Sequence, residues 1–357
     1  MKTYIKFISF TFFRSLLFVF LVMISLVYIL NLLSELDFFK EINVEIYFPL
    51  FLSLLNSPDM IFEMFPFIFL ISTQLFFIKL FNNNEIEVFK YSGLKNTKII
   101  QILSIISIIT GILITIIFYN FSSNMKNFYL KLKLQYTSDG KYLAVVTKNG
   151  LWVKDEIENK ILIVNSSKID ENHLIDNFIT EFSKDYTVLR NIKSPKIDIS
   201  KNEWLIFDAK VYNKNDYQNY DIKILKTNFN LDRIQTLYSN LSSLNLFELY
   251  ELRENYKKLN YSLTEVELQL LKLASLPIYL LLISIFASLI MLRVKRLENS
   301  TFKIALGLFF SVIIYYINNF FFVLGKTEKI PLLASTFLPL LIFILLNSIM
   351  ITKINEK

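Results

Sequence analysis

Six stretches of about twenty predominantly apolar residues run through this chain, and together they exclude an ordinary water-soluble domain. They fall at residues 7–33, 60–80, 99–121, 268–292, 304–324 and 331–351. As helices, each is long enough to cross ~30 Å of hydrocarbon. The composition agrees: 54% of the 357 residues are hydrophobic, 19% are charged, and the mean hydropathy is +0.44. The first stretch exceeds a signal-peptide core and is followed by no small-residue cleavage site, so it is expected to remain as an anchor. Thr264 with Glu267 fits a capping box at the start of the fourth. Pro66, Pro277 and Pro339 fall within spans, where neighbouring helices re-satisfy freed carbonyls, and they are expected to mark kinks.

The net charge of +7 is explained by where the basic residues lie. With the N-terminus in the cytoplasm, the inner segments hold Lys2, Lys6, Arg14, Lys79, Lys90, Lys95, Lys98, Arg293, Lys295, Arg296, Lys303, Lys353 and Lys357. The short outer loops hold only Lys40, Lys326 and Lys329. That is a positive-inside distribution, with both termini expected inside, and it removes the case for a nucleic-acid partner. The first outer loop is acidic, with Glu35, Asp37, Glu41 and Glu45.

Residues 122–266 contain no spanning segment, and this orientation puts them on the outer side. They read as short strands over 142–147, 151–154, 160–164, 174–182, 186–192, 203–212 and 220–225, several alternating with a period of two. Asp139-Gly140 and Asn149-Gly150 are turn signals. Residues 244–259 read as a helix returning to the membrane. The expected fold is an α-helical membrane protein of six transmembrane helices with an inserted, periplasmic, jellyroll-like β-domain. Its parts are 1–121, 122–266 and 267–357.

An enzyme's equipment is missing. The Gly-Lys pairs at 140–141 and 325–326 lack the earlier glycine of a phosphate-binding loop. One histidine, His173, and no cysteine leave no zinc site and no thiol nucleophile. Glu248 and Glu251 sit at helical spacing on a solvated face. Glu63, near the outer end of the second span, reads as an interfacial carboxylate or as a proton or cation site.

Between the second and third spans, near 82–94, lies a short amphipathic segment. Ile86 and Phe89 share one side, Glu87 and Lys90 another, and Gly93 stands where a left-handed cap would end a helix. A cytoplasmic helix of this kind in a protein without a nucleotide site fits a transporter permease that plugs into a separate ATPase. A plain interfacial connector is the simpler reading.

The motifs then carry a resemblance. The Glu85 to Tyr91-Ser92-Gly93 stretch, Pro58 and Pro66 around the second span, the Gly150-Leu151-Trp152-Val153-Lys154-Asp155 run, and the ending from Gly325 through Ile330-Pro331 to Leu338-Pro339 resemble the LptF/LptG family of lipopolysaccharide-export permeases, the Trp152 run favouring LptG. The resemblance implies a paired LptF-type permease, a dimeric cytoplasmic LptB-type ATPase that binds ATP and Mg, a single-span LptC-type protein and a periplasmic LptA-type bridge. It implies no cofactor on this chain and an inner-membrane location. Glu85, Ile86, Phe89 and Gly93 are then expected to couple to the ATPase. Phe18, Val22, Leu26 and Ile29 on the first span, with Phe309, Ile313 and Tyr316 on the fifth, are the expected cavity and lateral-gate residues. Lys272, Lys40, Lys126, Lys131 and Lys133 are the expected lipid-phosphate ligands, Lys272 foremost, because an ammonium inside a span needs an anion. Where LptG-type members often carry lysines at the outer end of span one, this chain has Asn31, Glu35 and Asp37. Three alternatives compete: another lipid or lipoprotein exporter, generally with four spans; a membrane sensor with a ligand-binding β-domain; and a membrane enzyme acting on lipid.

Overall fold

The computed structural model describes residues 3–42, 44–134, 136, 151–157, 160–170, 172–213, 216–231, 234, 240–258, 261–293 and 300–355. The expected strand over 142–147, both Gly turns, Gly150 and the basic residues Lys295 and Arg296 lie outside them. The chain divides into two compact units, residues 1–126 with 264–357, and residues 127–263.

The first unit is a helical bundle. Its long helices are α1 (Thr3–Phe38), α2 (Tyr47–Asn82) and α4 (Asn96–Leu113), which continues through a π-helical turn (Ile114–Phe118) into α5 (Tyr119–Leu134), whose residues from 127 on belong to the second unit. After the second unit come α7 (Thr264–Arg293), α8 (Ser300–Lys326) and α9 (Leu332–Asn355). The seven-residue α3 (Glu85–Tyr91) joins α2 to α4. Among the described residues, six helices are long and apolar enough to cross a membrane, as the sequence predicts.

The helix ends differ from the expected spans. Helix α2 begins at Tyr47, not 60, and runs through Asn56-Ser57-Pro58-Asp59. Hydropathy stops at these residues, but the helix does not, because their polar atoms find partners. The Ser57 hydroxyl donates to the Ser53 carbonyl (2.6 Å), and Asn56 Nδ2 donates to Asn31 Oδ1 (2.9 Å). Asn31 Nδ2 in turn donates to the Ser53 carbonyl (2.9 Å). These bonds form a buried amide network at this end of α1.

Water expulsion does not hold helices together inside a bilayer; close approach and hydrogen bonds do. A Cβ on Gly111 of α4 would lie 2.8 Å from Pro277 Cα of α7, and Ser107 Oγ donates to Ser284 Oγ (2.8 Å) across the same seam. Gly307 of α8 makes room for the buried Gln74 amide of α2. Helix α7 is the most enclosed of the six, whereas α1 and α8 are the least. On α1 the buried residues Ile8, Phe12, Ser15, Val19, Val27, Asn31 and Glu35 form one stripe.

The second unit, described by itself, contains a six-stranded antiparallel sheet. Its strands are β1 (Leu151–Ile157), β2 (Lys160–Asp170), β3 (His173–Ser183), β4 (Val188–Asp198), β5 (Glu203–Asn213) and β6 (Tyr217–Lys226). Neighbours in the sheet are neighbours in sequence, an up-and-down meander among the described residues. The inward row includes Val164, Ile179, Ile192 and Val211, paired across four strands. Ser166 Oγ donates to Asn177 Oδ1 (2.6 Å), so polar residues also face inward. Trp204 is buried, its Nε1 donating to the Phe229 carbonyl (2.8 Å). Helix α6 (Leu246–Lys258) follows, with Leu249 and Leu252 inward.

The Trp152–Asp155 run fastens this unit. Buried Asp155 accepts from Thr227 Oγ1 (2.7 Å), the Asn228 backbone N–H (2.9 Å) and Asn228 Nδ2 (2.9 Å). The Lys154 backbone N–H donates to Tyr261 Oη (2.7 Å). Trp152 itself is half exposed and is no core residue.

Candidate functional site

Two places in the helical unit concentrate polar chemistry. The first is a cavity of about 150 Å³ among α2, α7, α8 and α9. Lys272 stands eight residues in from the start of α7, about 12 Å along the axis, and Asn318 stands eight before the end of α8. At this depth an unpaired ammonium is costly. It is not unpaired: Lys272 Nζ donates to both Glu63 carboxylate oxygens of α2, each at 2.8 Å. The ammonium also lies 5.9 Å from the centre of the Phe322 ring. Side-chain exposures of 40% for Lys272 and 52% for Glu63 leave the pair open to the cavity. Asn318 and Asn319 line the same cavity. Ser275, Thr336 and Tyr315 add hydroxyls, and Phe62, Leu273, Leu276 and Leu340 add an apolar wall.

The structure gives Lys272 an anion within the chain. The ammonium is not an isolated cation but half of a neutral pair, and the lone carboxylate Glu63 is its counter-ion. The signal was present, since Lys272 is the single charge of the fourth apolar stretch and Glu63 the single acid of the second. Lys126 repeats the pattern: its Nζ donates to Asn56 Oδ1 and lies 3.4 Å from Asp59 Oδ2. Lys40 and Lys131 are exposed, and Lys133 is buried, donating to Tyr129 Oη (2.9 Å). Within the helical unit, Lys40, Lys126 and Lys272 are not gathered into one site, and Lys131 and Lys133 belong to the second unit. The Asn318–Asn319 pair was missed, although two adjacent amides in a span are visible in the sequence.

The second place is α3. Its entry residue Asn84 is left-handed (φ 56°) and Gly93 beyond its end is left-handed (φ 78°). The Leu94 N–H donates to the Phe89 carbonyl (2.8 Å) and the Gly93 N–H to the Lys90 carbonyl (3.0 Å), the pair of bonds of a Schellman cap. A Cβ at Gly93 would meet nothing, so its backbone conformation alone calls for glycine. Ile86 is 2% exposed, and the Phe89 ring meets Phe7 of α1 edge-on at 6.0 Å. The apolar pair that the sequence aimed at a partner thus anchors α3 to its own bundle. Val88 (59% exposed) and Tyr91 (90% exposed) face outward in their place. Glu85 Oε1 accepts from Asn83 Nδ2 (3.1 Å), and the side chain is half-buried.

The expected gate residues share one property. Phe18, Val22, Leu26 and Ile29 of α1 and Phe309, Ile313 and Tyr316 of α8 are all exposed within this chain, on its two least enclosed helices. No group of acidic or histidine side chains suited to a metal ion occurs among the described residues.

Six candidate spans among the described residues set the chain apart from the four-span exporters considered above. No curated protein matches it in sequence. A protein-family profile described as "Lipopolysaccharide export system permease LptF/LptG" matches residues 6–353, taking in both units and both polar places. The chain belongs to the LptF/LptG family of lipopolysaccharide export permeases.

Proposed function

We propose that the chain is the LptG-type half of a two-permease ABC exporter in a bacterial inner membrane, lifting lipopolysaccharide from the outer leaflet toward a periplasmic bridge. The work is considerable: each acyl methylene withdrawn from hydrocarbon costs ~0.8 kcal/mol, so a lipid with several chains needs an external energy source. A separate LptB-type dimer binds ATP and Mg and supplies it through α3. The termini and α3 lie in the cytoplasm and the β-unit in the periplasm. An LptF-type partner completes the cavity beside the exposed faces of α1 and α8, and LptC- and LptA-type proteins receive the lipid from the β-unit. The ammonium of Lys272 meets lipid phosphate.

The observation that carries the reading is the construction of α3. Ile86 and Phe89 fix the helix to the bundle and a Schellman cap closes it, while Val88 and Tyr91 stand bare. Large exposed side chains on a rigid seven-residue helix suit a groove on another protein. Co-purification with the ATPase tests this. Tyr91→Ala and Glu85→Lys are expected to lower recovery of the ATPase at least tenfold with the β-unit still folded. Full recovery from both variants would remove the coupling role.

A further inference from the structure

A cavity holding one positive and one negative charge is a poor receptacle for a plain anion. A bare phosphate drawn to Lys272 would also stand beside the Glu63 carboxylate, and like charges at that separation repel. The cavity is better matched to a head that carries both signs. Both side chains of the Lys272–Glu63 pair are partly exposed beside the cavity, so a head carrying both signs can re-pair each partner without stranding either charge. The side-chain amides of Asn318 and Asn319 make no hydrogen bond among the described residues and offer donors and acceptors beside the pair. One turn earlier on α2, Asp59 pairs with Lys126.

We infer that the cavity is a head-group site for an amphiphile bearing a phosphate and an ammonium on the same head. The phosphate oxygens take the Lys272 ammonium and the Asn318 and Asn319 amides. The ammonium takes Glu63, and the first acyl methylenes lie along Phe62, Leu273 and Leu340. Such a head comes from two sources. One is a bilayer phospholipid with an aminoethyl phosphate head. The other is a cargo glycolipid whose phosphate carries an amine-bearing substituent. The inference deepens the lipid-export reading and rests on it for the second source alone.

Native mass spectrometry of the purified full chain tests it, using phosphatidylethanolamine and phosphatidic acid with identical acyl chains. The wild type is expected to retain the ethanolamine lipid about tenfold better, the ratio one charge-assisted hydrogen bond supports. Glu63→Gln should bring the ratio near one, and Lys272→Gln should weaken both lipids. Equal retention by the wild type, a ratio unchanged in Glu63→Gln, or no effect of Lys272→Gln would each overturn the inference. Where Glu63→Gln reduces the yield of folded protein, Glu63→Gln/Lys272→Gln replaces it, because it leaves no lone charge; lost selectivity is again the expected result and retained selectivity the contrary one. Lipid A with and without an aminoethyl group on its phosphates separates the sources. A preference for the amine-bearing form that Glu63→Gln abolishes supports the cargo source. Binding of phosphatidylethanolamine alone supports the phospholipid source. Failure to bind either form of lipid A would count against the export reading and leave the phospholipid site standing.

Discussion

A single atom decides several positions in this molecule. Gly111 and Gly307 both lack the space for a Cβ, but for different reasons. At Gly111 the obstacle is the Pro277 backbone, whereas at Gly307 it is the end of the Gln74 side chain. Gly111→Ala is therefore expected to lower the thermal midpoint of the chain in detergent by several degrees, with an overpacking cost of about 1–3 kcal/mol. Gly307→Ala should be rescued largely by Gln74→Ala in a double-mutant cycle. A Gly111 variant as stable as the wild type would mean that the α4–α7 seam is looser than its geometry. Gly93 is the converse case, where space is free and only the left-handed backbone matters. Gly93→Ala should cost about 1–2 kcal/mol, seen as faster hydrogen exchange at the Gly93 and Leu94 amides.

At the scale of elements, what could be read from the sequence depended on what water or lipid sees. The six spans were legible because a long charge-poor run has few other fates. The start of α2 was not, since Asn56 and Ser57 look like loop residues until Asn31 and Ser53 are placed beside them. Strand β2 continues past its apolar start to Asp170, because Ser166 spends its hydroxyl on Asn177 within the sheet. The helix at 85–91 and its glycine cap were legible too. Its sidedness was not, because Ile86 fits the chain's own bundle as well as a foreign groove. The pairing of Glu63 with Lys272 needed the bundle, since 209 residues separate them.

Both tryptophans of the chain, Trp152 and Trp204, belong to the β-unit, so intrinsic fluorescence follows that unit selectively. Asp155→Ala strands the donors of Thr227 and Asn228 and should destabilise the unit by about 3 kcal/mol, measured by denaturant unfolding on this signal. Hydrogen bonds from the Ser200 hydroxyl and backbone N–H hold the Asp198 carboxyl below its ordinary value of 3.8. The stabilisation from these bonds is complete above that value and is lost as pH falls through the lowered folded one. Ser200→Ala should raise the Asp198 pKa toward 3.8 and flatten the acid limb of the unfolding profile, as followed by carboxyl NMR titration. An unchanged titration would remove the capping role of Ser200.

For the whole molecule, the sequence contains no cysteine, so single introduced thiols map its topology without background. Tyr91→Cys should react with a membrane-impermeant maleimide only after the inner membrane is opened. Tyr186→Cys, exposed in the second unit, should react from the periplasm. The reverse pattern would invert the proposed orientation and end the ATPase reading with it. The two least enclosed helices, α1 and α8, leave the bundle with two apolar flanks. Its enclosed centre is α7, pinned by Gly111 against Pro277 and by Ser107 against Ser284.

The band of Glu63, Lys272, Asn318 and Asn319 has one more consequence. Charges and amides inside a span favour water drawn down beside them and a locally thinned bilayer. In the proposed export, a lipid approaching there would find the rim of the oil already lowered. Part of the ascent in that proposed cycle would then be made downhill by the shape of the shoreline, before any nucleotide is split.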